Sequence, residues 1–194
     1  MLPEDKHRFP PVSVRLKDGR AATIRLLDEA DANALAEFYE AVPDADYRFY
    51  CAHRLDREHA RKKAARADTP NFVCLVLQAP EGALGGYAWY DWPQDKPQRS
   101  TFGICVRPNY KGVGAGKALM ERLLAVAAKY GPPVMGLTVQ LANPVAVALY
   151  QKMGFRIVKQ QMRGPVDGGK FPPEPEYAME RKVRDESPAG RAQP

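Results

Sequence analysis

One stretch of the sequence decides the fold: Val106-Arg107-Pro108-Asn109-Tyr110-Lys111-Gly112-Val113-Gly114-Ala115-Gly116-Lys117. A β-branched run from Ile104 leads into it, and glycines then occupy every second position of a loop. Glycine is used where a backbone bends sharply or approaches a ligand closely. A helix that begins in this loop directs its unpaired N–H groups, and the positive end of its dipole, at the loop. The stretch therefore predicts a strand, an anion-binding loop and a helix, with phosphate as the expected anion.

Spacing separates this loop from two other kinds of phosphate-binding loop. A nucleoside-triphosphate loop needs G-x-x-x-x-G-K-[S/T]. Here Lys111 stands at the first glycine position, and Ala118 replaces the hydroxyl residue that would bind magnesium. A dinucleotide-binding loop needs G-x-G-x-x-G, and Lys117 occupies its third glycine position. Neither nucleotide-binding fold is therefore expected.

Length and composition indicate one ordinary globular domain. The chain has 194 residues, of which 45% are hydrophobic and 27% charged, which is enough to build a single core. We see no leader and no apolar run near the ~20 residues that a membrane span needs, so we expect a soluble, cytoplasmic protein with no membrane partner. No cysteine pair has metal-ligand spacing, so no metal is expected, and Cys74 and Cys105 lie in strand-like runs as expected core residues.

The net charge of +6 raises the question of nucleic acid. The basic residues are scattered over three places, however, near residues 15–20, 54–66 and 159–163. We favour a solvated basic face, and nucleic-acid binding ranks last among the functions considered. A modest positive field would also attract a polyanionic cofactor.

The hydrophobic pattern divides the chain into strands and helices. Residues 1–10 are expected to form a flexible arm, 11–183 the domain, and 184–194 a disordered tail. Predicted strands are a hairpin at 12–16 and 22–26, then 71–79, 83–91, 99–107, 134–141, 155–162 and 176–183. Predicted helices cover about 29–41 and 56–67, the segment after the glycine loop, and the segment after Asn143, which caps it. Residues 44–55 and 163–175 are predicted to be irregular.

Two motifs resemble the GNAT superfamily of N-acetyltransferases. Residues 111–116 are similar to its acetyl-CoA loop, R/Q-x-x-G-x-G/A, and 143–155 to its second signature, N-x-x-A-x-x-L-Y-x-x-x-G-F. Residues 16–20 and 24–26 also resemble the start of GNAT domains in bacterial protein-lysine acetyltransferases. The resemblance implies an α/β protein: a single GNAT-fold domain with a mixed, mostly antiparallel central sheet, about four flanking helices and splayed strands at the cofactor site.

The resemblance also implies a site for acetyl-CoA as co-substrate. The loop N–H groups would hold the pyrophosphate, and free backbone groups on a splayed strand would pair with the pantetheine arm, with the Val106 N–H facing the thioester oxygen. Lys111 stands where the family has Arg or Gln. The implied cofactor-binding residues are Ile104, Val106, Lys111, Gly112, Val113, Gly114, Ala115, Gly116, Lys117 and Asn143.

For catalysis, Tyr150 matches the tyrosine that acts as general acid near the sulfur in many family members. The alternative is an aromatic side chain packed in the core. Thr101 stands where many members carry a glutamate, and a threonine cannot serve as general base near neutral pH. A relayed water, or else Asp91, Glu81 or His53, remains open as the base.

These residues point to an enzyme that transfers an acetyl group from acetyl-CoA to a primary amine in a ternary complex. The amine would belong to a small molecule or to a protein lysine or N-terminus. The alternative is a non-catalytic acyl-CoA-binding or sensing domain, suggested by Thr101. Residues 47–53 and 163–175 would border the acceptor pocket. The acceptor, the acyl-chain preference and a homodimer stay open.

Overall fold

The computed structural model describes residues 1–50 and 52–184 and contains one eight-stranded sheet. The predicted tail therefore lies outside the described residues from 185 onward. The strands are β1 (Val12–Arg15), β2 (Ala21–Leu26), β3 (Phe72–Gln78), β4 (Leu84–Asp91), β5 (Arg99–Val106), β6 (Val134–Gln140), β7 (Arg156–Arg163) and β8 (Glu174–Lys182). Their order is β1-β2-β3-β4-β5-β6-β8-β7. Every neighbouring pair is antiparallel except β5 and β6, which run parallel. This is the mixed, mostly antiparallel sheet that the family resemblance implied.

Six α-helices flank the sheet in the described chain, where about four were predicted. They are α1 (Pro3–Lys6), α2 (Ala32–Glu40), α3 (Asp44–Tyr50), α4 (Arg57–Ala64), α5 (Ala115–Ala127) and α6 (Pro144–Lys152). The unpredicted helices are α1 and α3. In α3, acidic residues occupy the first turn and Arg48 the last, an arrangement that stabilises the helix dipole. The aromatic residues in and after α3 do not follow a clear helical period, so the sequence pattern predicted an irregular segment there.

The two faces of the sheet are covered by different helices. On one face, α5 packs Leu119 and Leu123 into a core that also holds Phe102. On the other face, α2 and α4 pack around Phe38 and Ala60. Because side chains alternate along a strand, β5 directs Phe102, Ile104 and Val106 toward the α5 core and Cys105 toward the α2–α4 core.

The N-terminal segment differs from the flexible arm expected for residues 1–10. Met1 is 1% exposed and Phe9 is 5% exposed, and both belong to the α5 core. The Met1 amino group donates to the carbonyl oxygen of Ala67 at 3.3 Å. Two isolated apolar residues show no periodicity, so only the tertiary structure reveals that they are buried.

The parallel pairing of β5 and β6 stops early. It joins Arg99 to Val134, Ser100 to Met135 and Thr101 to Gly136. Beyond Thr101 each strand is paired with its outer neighbour only: β5 pairs with β4 as far as Val106, and β6 pairs with β8 as far as Gln140. The two strands therefore splay apart after Thr101, as expected for this fold, and leave backbone groups of β5 without a partner strand on that side.

One glycine on β5 is required by packing rather than by backbone conformation. A Cβ at Gly103 would lie 2.7 Å from three ring atoms of Trp89, the residue opposite it on β4. The Trp89 ring is buried, and its Nε1 donates to the Tyr50 hydroxyl at 2.8 Å. A rigid, hydrogen-bonded ring cannot move aside without loss of that contact.

Replacing Gly103 by alanine should therefore destabilise the fold by about 1–3 kcal/mol, the usual cost of overpacking. Gly164→Ala is the matched control, since a Cβ there meets no atom within 4 Å. Urea unfolding measures both changes in free energy. Equal stability of the two variants would contradict the packing assignment.

Candidate functional site

The glycine loop turns sharply between β5 and α5. Gly112 and Gly114 have φ angles of 74° and 94°, in a region of backbone conformation that residues other than glycine rarely adopt. Gly114 is the N-cap of α5, and no side chain caps that helix. The N–H groups of its first turn are therefore left facing the loop, which is the arrangement that binds anions.

The turn between β1 and β2 lies against this loop, which the sequence did not predict. The Lys17 N–H donates to the Val113 carbonyl at 2.9 Å. Arg20 donates to the carbonyl of Asn109 at 2.6 Å, and its guanidinium lies 4.2 Å from the centre of the Tyr110 ring. The side chain of Lys17 passes within 4 Å of the Cβ position of Gly114. The hairpin thus adds positive charge beside the glycines and fixes the shape of the loop.

Both lysines predicted for cofactor binding already have acidic partners. Lys111 forms an ion pair with Asp46 of α3, and Lys117 forms one with Glu121 at 2.6 Å, one helical turn away. These pairs leave the backbone N–H groups, rather than the lysine side chains, as the groups of the loop that are free to bind a phosphate.

The other predicted cofactor residues lie around the splay. Ile104 and Val106 pair with Ala88 and Gly86 of β4 on one side, and β6 does not pair with them on the other. The Asn143 side chain accepts from the Ala146 N–H at 3.2 Å, so its predicted role as a helix cap is confirmed. Its role toward a cofactor stays a prediction.

Tyr150 lies on α6 beside the splayed strand. It is 8% exposed and packs edge-on against Phe102, with 5.9 Å between the ring centres. Within the described chain its hydroxyl has no hydrogen-bond partner. Burial raises the pKa of this hydroxyl, so Tyr150 stays protonated at neutral pH and can donate a proton.

A second surface lies on the opposite face of the splay, along β5, β6 and β8. Leu137 and Val139 of β6 point into the α5 core, so Thr138 and Gln140 point the other way. Thr101 and Thr138 are exposed there, and the register places Ala178 and Glu176 of β8 opposite Thr138 and Gln140. We call this surface, made by Thr101, Thr138, Gln140, Glu176 and Ala178, the acceptor face.

Helix α3 closes one end of the acceptor face. Arg48 donates to Glu174 at 2.8 Å, and Arg163 of β7 donates to the other oxygen of the same carboxylate at 3.0 Å. Gln140 donates to the Arg48 carbonyl at 3.4 Å. Together with the Lys111–Asp46 pair, these contacts span the splay from the glycine loop to β8. The pKa of Glu174 is held below its usual value, chiefly by the hydrogen bond from Arg48.

An open pocket of about 390 Å³ lies beside α3, between the two segments predicted to border an acceptor. Four of its charged groups form two ion pairs: Asp44 with Lys170 at 2.8 Å, and Arg54 with Asp167 at 2.9 Å. The lining residues are Tyr39, Val42, Asp44, Tyr47, Arg54, Leu55, Asp56, Asp167 and Lys170. The pocket therefore offers both signs of charge next to aromatic rings.

The three candidate bases differ in their surroundings. Asp91 lies directly across from Thr101 but is paired with Arg66 at 3.0 Å. Glu81 is exposed in the turn between β3 and β4. His53 belongs to a hydrogen-bonded group at the buried end of α3.

In that group, His53 Nδ1 lies 2.7 Å from the Arg54 carbonyl and must therefore donate to it, so Nε2 is the acceptor. The Tyr50 hydroxyl donates to Nε2 at 3.1 Å and itself accepts from Trp89 and Tyr87. Burial, followed by the charge of Lys63, lowers the pKa of His53 to about 4. The ring is neutral at physiological pH.

No helix of the described residues is long and apolar enough to cross a membrane. Across residues 1–50 and 52–184, no three His, Cys, Asp or Glu side chains are grouped as a metal site would require.

Comparison with known proteins identifies similar chains. Residues 32–155 match the model of the acetyltransferase (GNAT) family. The chain is 26% identical over 152 residues to an L-methionine sulfoximine/L-methionine sulfone acetyltransferase of Salmonella typhimurium, covering 77% of this chain and 88% of that one. It is 29% identical over 152 residues to the L-amino acid N-acyltransferase MnaT of Escherichia coli K12, covering 77% and 86%. Among solved structures, a putative acetyltransferase of Salmonella typhimurium with its cofactor acetyl-CoA superposes with a TM-score of 0.71 at 24% identity, covering 89% and 99%.

His53 makes stability depend on pH. In the unfolded chain this side chain takes up a proton below its ordinary pKa of 6.5, whereas in the folded protein it does so only near 4. Acidification through that window therefore favours unfolding, and we expect a loss of about 2 kcal/mol from this group between pH 7 and 5. His53→Gln removes the titration and keeps an acceptor for Tyr50, so its unfolding free energy should fall less steeply. Urea unfolding at several pH values measures the two slopes, and identical slopes would contradict the assignment.

Proposed function

Because the chain belongs to the GNAT acetyltransferase family, we propose that it transfers an acetyl group from acetyl-CoA to a primary amine within a ternary complex. The observation that carries this proposal is the splay of β5 and β6, which opens between an uncapped, glycine-rich helix N-terminus and Tyr150, whose hydroxyl has no hydrogen-bond partner among the described residues. A cytoplasmic location is part of the same proposal.

The residues around the splay fit acetyl-CoA. A Cβ at Gly112 would meet no atom of the described residues within 4 Å, so the loop has open space at this glycine. The free backbone edge of β5 at Ile104 and Val106 suits an extended amide-containing arm. When bound, acetyl-CoA supplies an activated acetyl group as a thioester.

We assign the following roles to the chain's own residues. The N–H groups of residues 112–117 hold the pyrophosphate, and the Val106 N–H polarises the thioester carbonyl. The Tyr150 hydroxyl donates its proton to the departing sulfur. The acceptor amine approaches from the acceptor face, bounded by α3.

The names of the two amino-acid acetylating relatives favour a small L-amino-acid-like acceptor, with a protein amine as the alternative.

The second candidate function is a non-catalytic acyl-CoA sensor, favoured by the exposed Thr101 in place of a glutamate. Thiol release from acetyl-CoA separates the two. We expect release that depends on an amine, tested with L-methionine sulfone, spermidine and a peptide beginning with alanine. Tight acetyl-CoA binding without release for any of these amines would favour the sensor.

Gly114→Asp should abolish acetyl-CoA binding, since a carboxylate would face the pyrophosphate and the left-handed backbone suits glycine. Gly82→Asp is the matched control: it has a φ of 96°, and a Cβ there meets nothing within 4 Å, but it lies in the turn between β3 and β4. Isothermal titration of both folded variants should show binding only for the control. Retained binding by Gly114→Asp would exclude the loop as the phosphate site.

Tyr150→Phe should lower kcat about 10²-fold or more, the usual contribution of a general acid, with acetyl-CoA affinity little changed. Tyr130→Phe serves as control, because that hydroxyl donates to the Pro70 carbonyl away from the splay. Steady-state kinetics and titration measure the two quantities. Unchanged kcat in Tyr150→Phe would remove it as the acid.

A further inference from the structure

Glu176 is a buried carboxylate that has no cationic partner among the described residues. It is 5% exposed on β8, and one oxygen accepts from the Gln161 side chain at 2.8 Å. Across the described residues it forms no ion pair, and its second oxygen accepts no hydrogen bond. Buried carboxylates are normally neutralised by a cation or by several donors, because loss of hydration costs several kcal/mol.

The neighbouring acid shows what a neutralised carboxylate looks like in this fold. Glu174 lies two residues earlier on the same face, and its carboxylate accepts hydrogen bonds from Arg48 of α3 and Arg163 of β7. Those guanidiniums are therefore engaged next to Glu176 and are not paired with it. Lys159 of β7 shares the face but is exposed and forms no ion pair within the described chain. Glu176 thus lacks a positive partner although cations lie close by.

Glu176 lies on the acceptor face, at the level where β5 and β6 are no longer paired. β8 pairs with β6 so that Glu176 lies opposite Gln140, and Ala178 lies opposite the exposed Thr138. Thr101, where the family pattern has an acid, belongs to the same face at the point where β5 and β6 separate. Among the described residues, the acceptor face therefore has a carboxylate without a cation on β8, two strands away from Thr101.

We propose that Glu176 binds the ammonium group of the acceptor and accepts its proton. This inference rests on the proposed function and adds the group that prepares the amine. The carboxylate of Glu176 takes one proton from the ammonium, and the nitrogen lone pair then forms the C–N bond to the thioester carbonyl carbon. The C–S bond breaks with its electron pair on sulfur, which receives the Tyr150 proton. A second proton, lost from nitrogen, restores Tyr150, and Glu176 releases its proton to solvent.

The test is Glu176→Gln, which keeps the shape and can still accept from Gln161. Glu180→Gln is the matched control: Glu180 lies on the same strand and face, but it pairs with Arg99 at a level where β5 and β6 are still joined. The assay measures kcat and KM with L-methionine sulfone, spermidine and an alanine-starting peptide, and acetyl-CoA affinity by titration.

We expect Glu176→Gln to lose about 10²-fold or more in kcat/KM for the amine near neutral pH, with acetyl-CoA affinity unchanged and Glu180→Gln close to the wild type. The deficit should shrink as alkaline pH supplies neutral amine. Wild-type turnover that Glu176→Gln leaves intact, or a deficit that does not change with pH, would overturn this inference alone. Failure of the wild type with every amine would contradict the proposed function and this inference with it.

Discussion

The early end of the β5–β6 pairing is the constraint on which the rest of the site depends. Three residue pairs join the strands, and the pairing stops at Thr101 and Gly136. A sheet normally satisfies its backbone groups on both sides, so a strand that loses its neighbour in mid-sheet keeps a row of free donors and acceptors. The outer neighbours β4 and β8 hold the two strands in place despite this gap. The gap is therefore a stable feature of the fold, open on one side to the glycine loop and on the other to the acceptor face.

Helix α3 connects the two sides of this gap. Its Asp46 pairs with Lys111 of the glycine loop, and its Arg48 pairs with Glu174 of β8. Tyr50 reaches the sheet itself and accepts from Trp89, whose ring covers Gly103. This helix of seven residues thus contacts the glycine loop, Trp89 of β4 and Glu174 of β8. A change in the position of α3 would alter all three of these contacts.

Local patterns in the sequence predicted the parts of the site that local chemistry determines. The glycines at 112 and 114 adopt the positive φ angles that only glycine adopts easily, and Asn143 caps α6 through its own side chain. The alternation of β-branched residues located the strands. Helix α3 was missed because its aromatic residues show no clear helical period and because its ion pairs join it to residues distant in sequence. Glu176 was missed because its lack of a cation depends on how β7, β8 and α3 pack together, and nothing in the run around it distinguishes it from its neighbour Glu174.

The pairing of both loop lysines with acidic side chains also affects which anions the glycine loop can bind. Recognition of polyanions in general, including nucleic acids, depends on free lysine and arginine charges and weakens steeply with salt. At this loop the charges of Lys111 and Lys117 are already balanced by Asp46 and Glu121. What remains is the charge of Lys17 beside Gly114 and a set of N–H dipoles with a fixed direction. These dipoles favour a compact anion at one place and distance. Although the chain has a net charge of +6, the charges of Lys111 and Lys117 are balanced at the glycine loop, so the directed N–H groups set a requirement on the shape of the anion there.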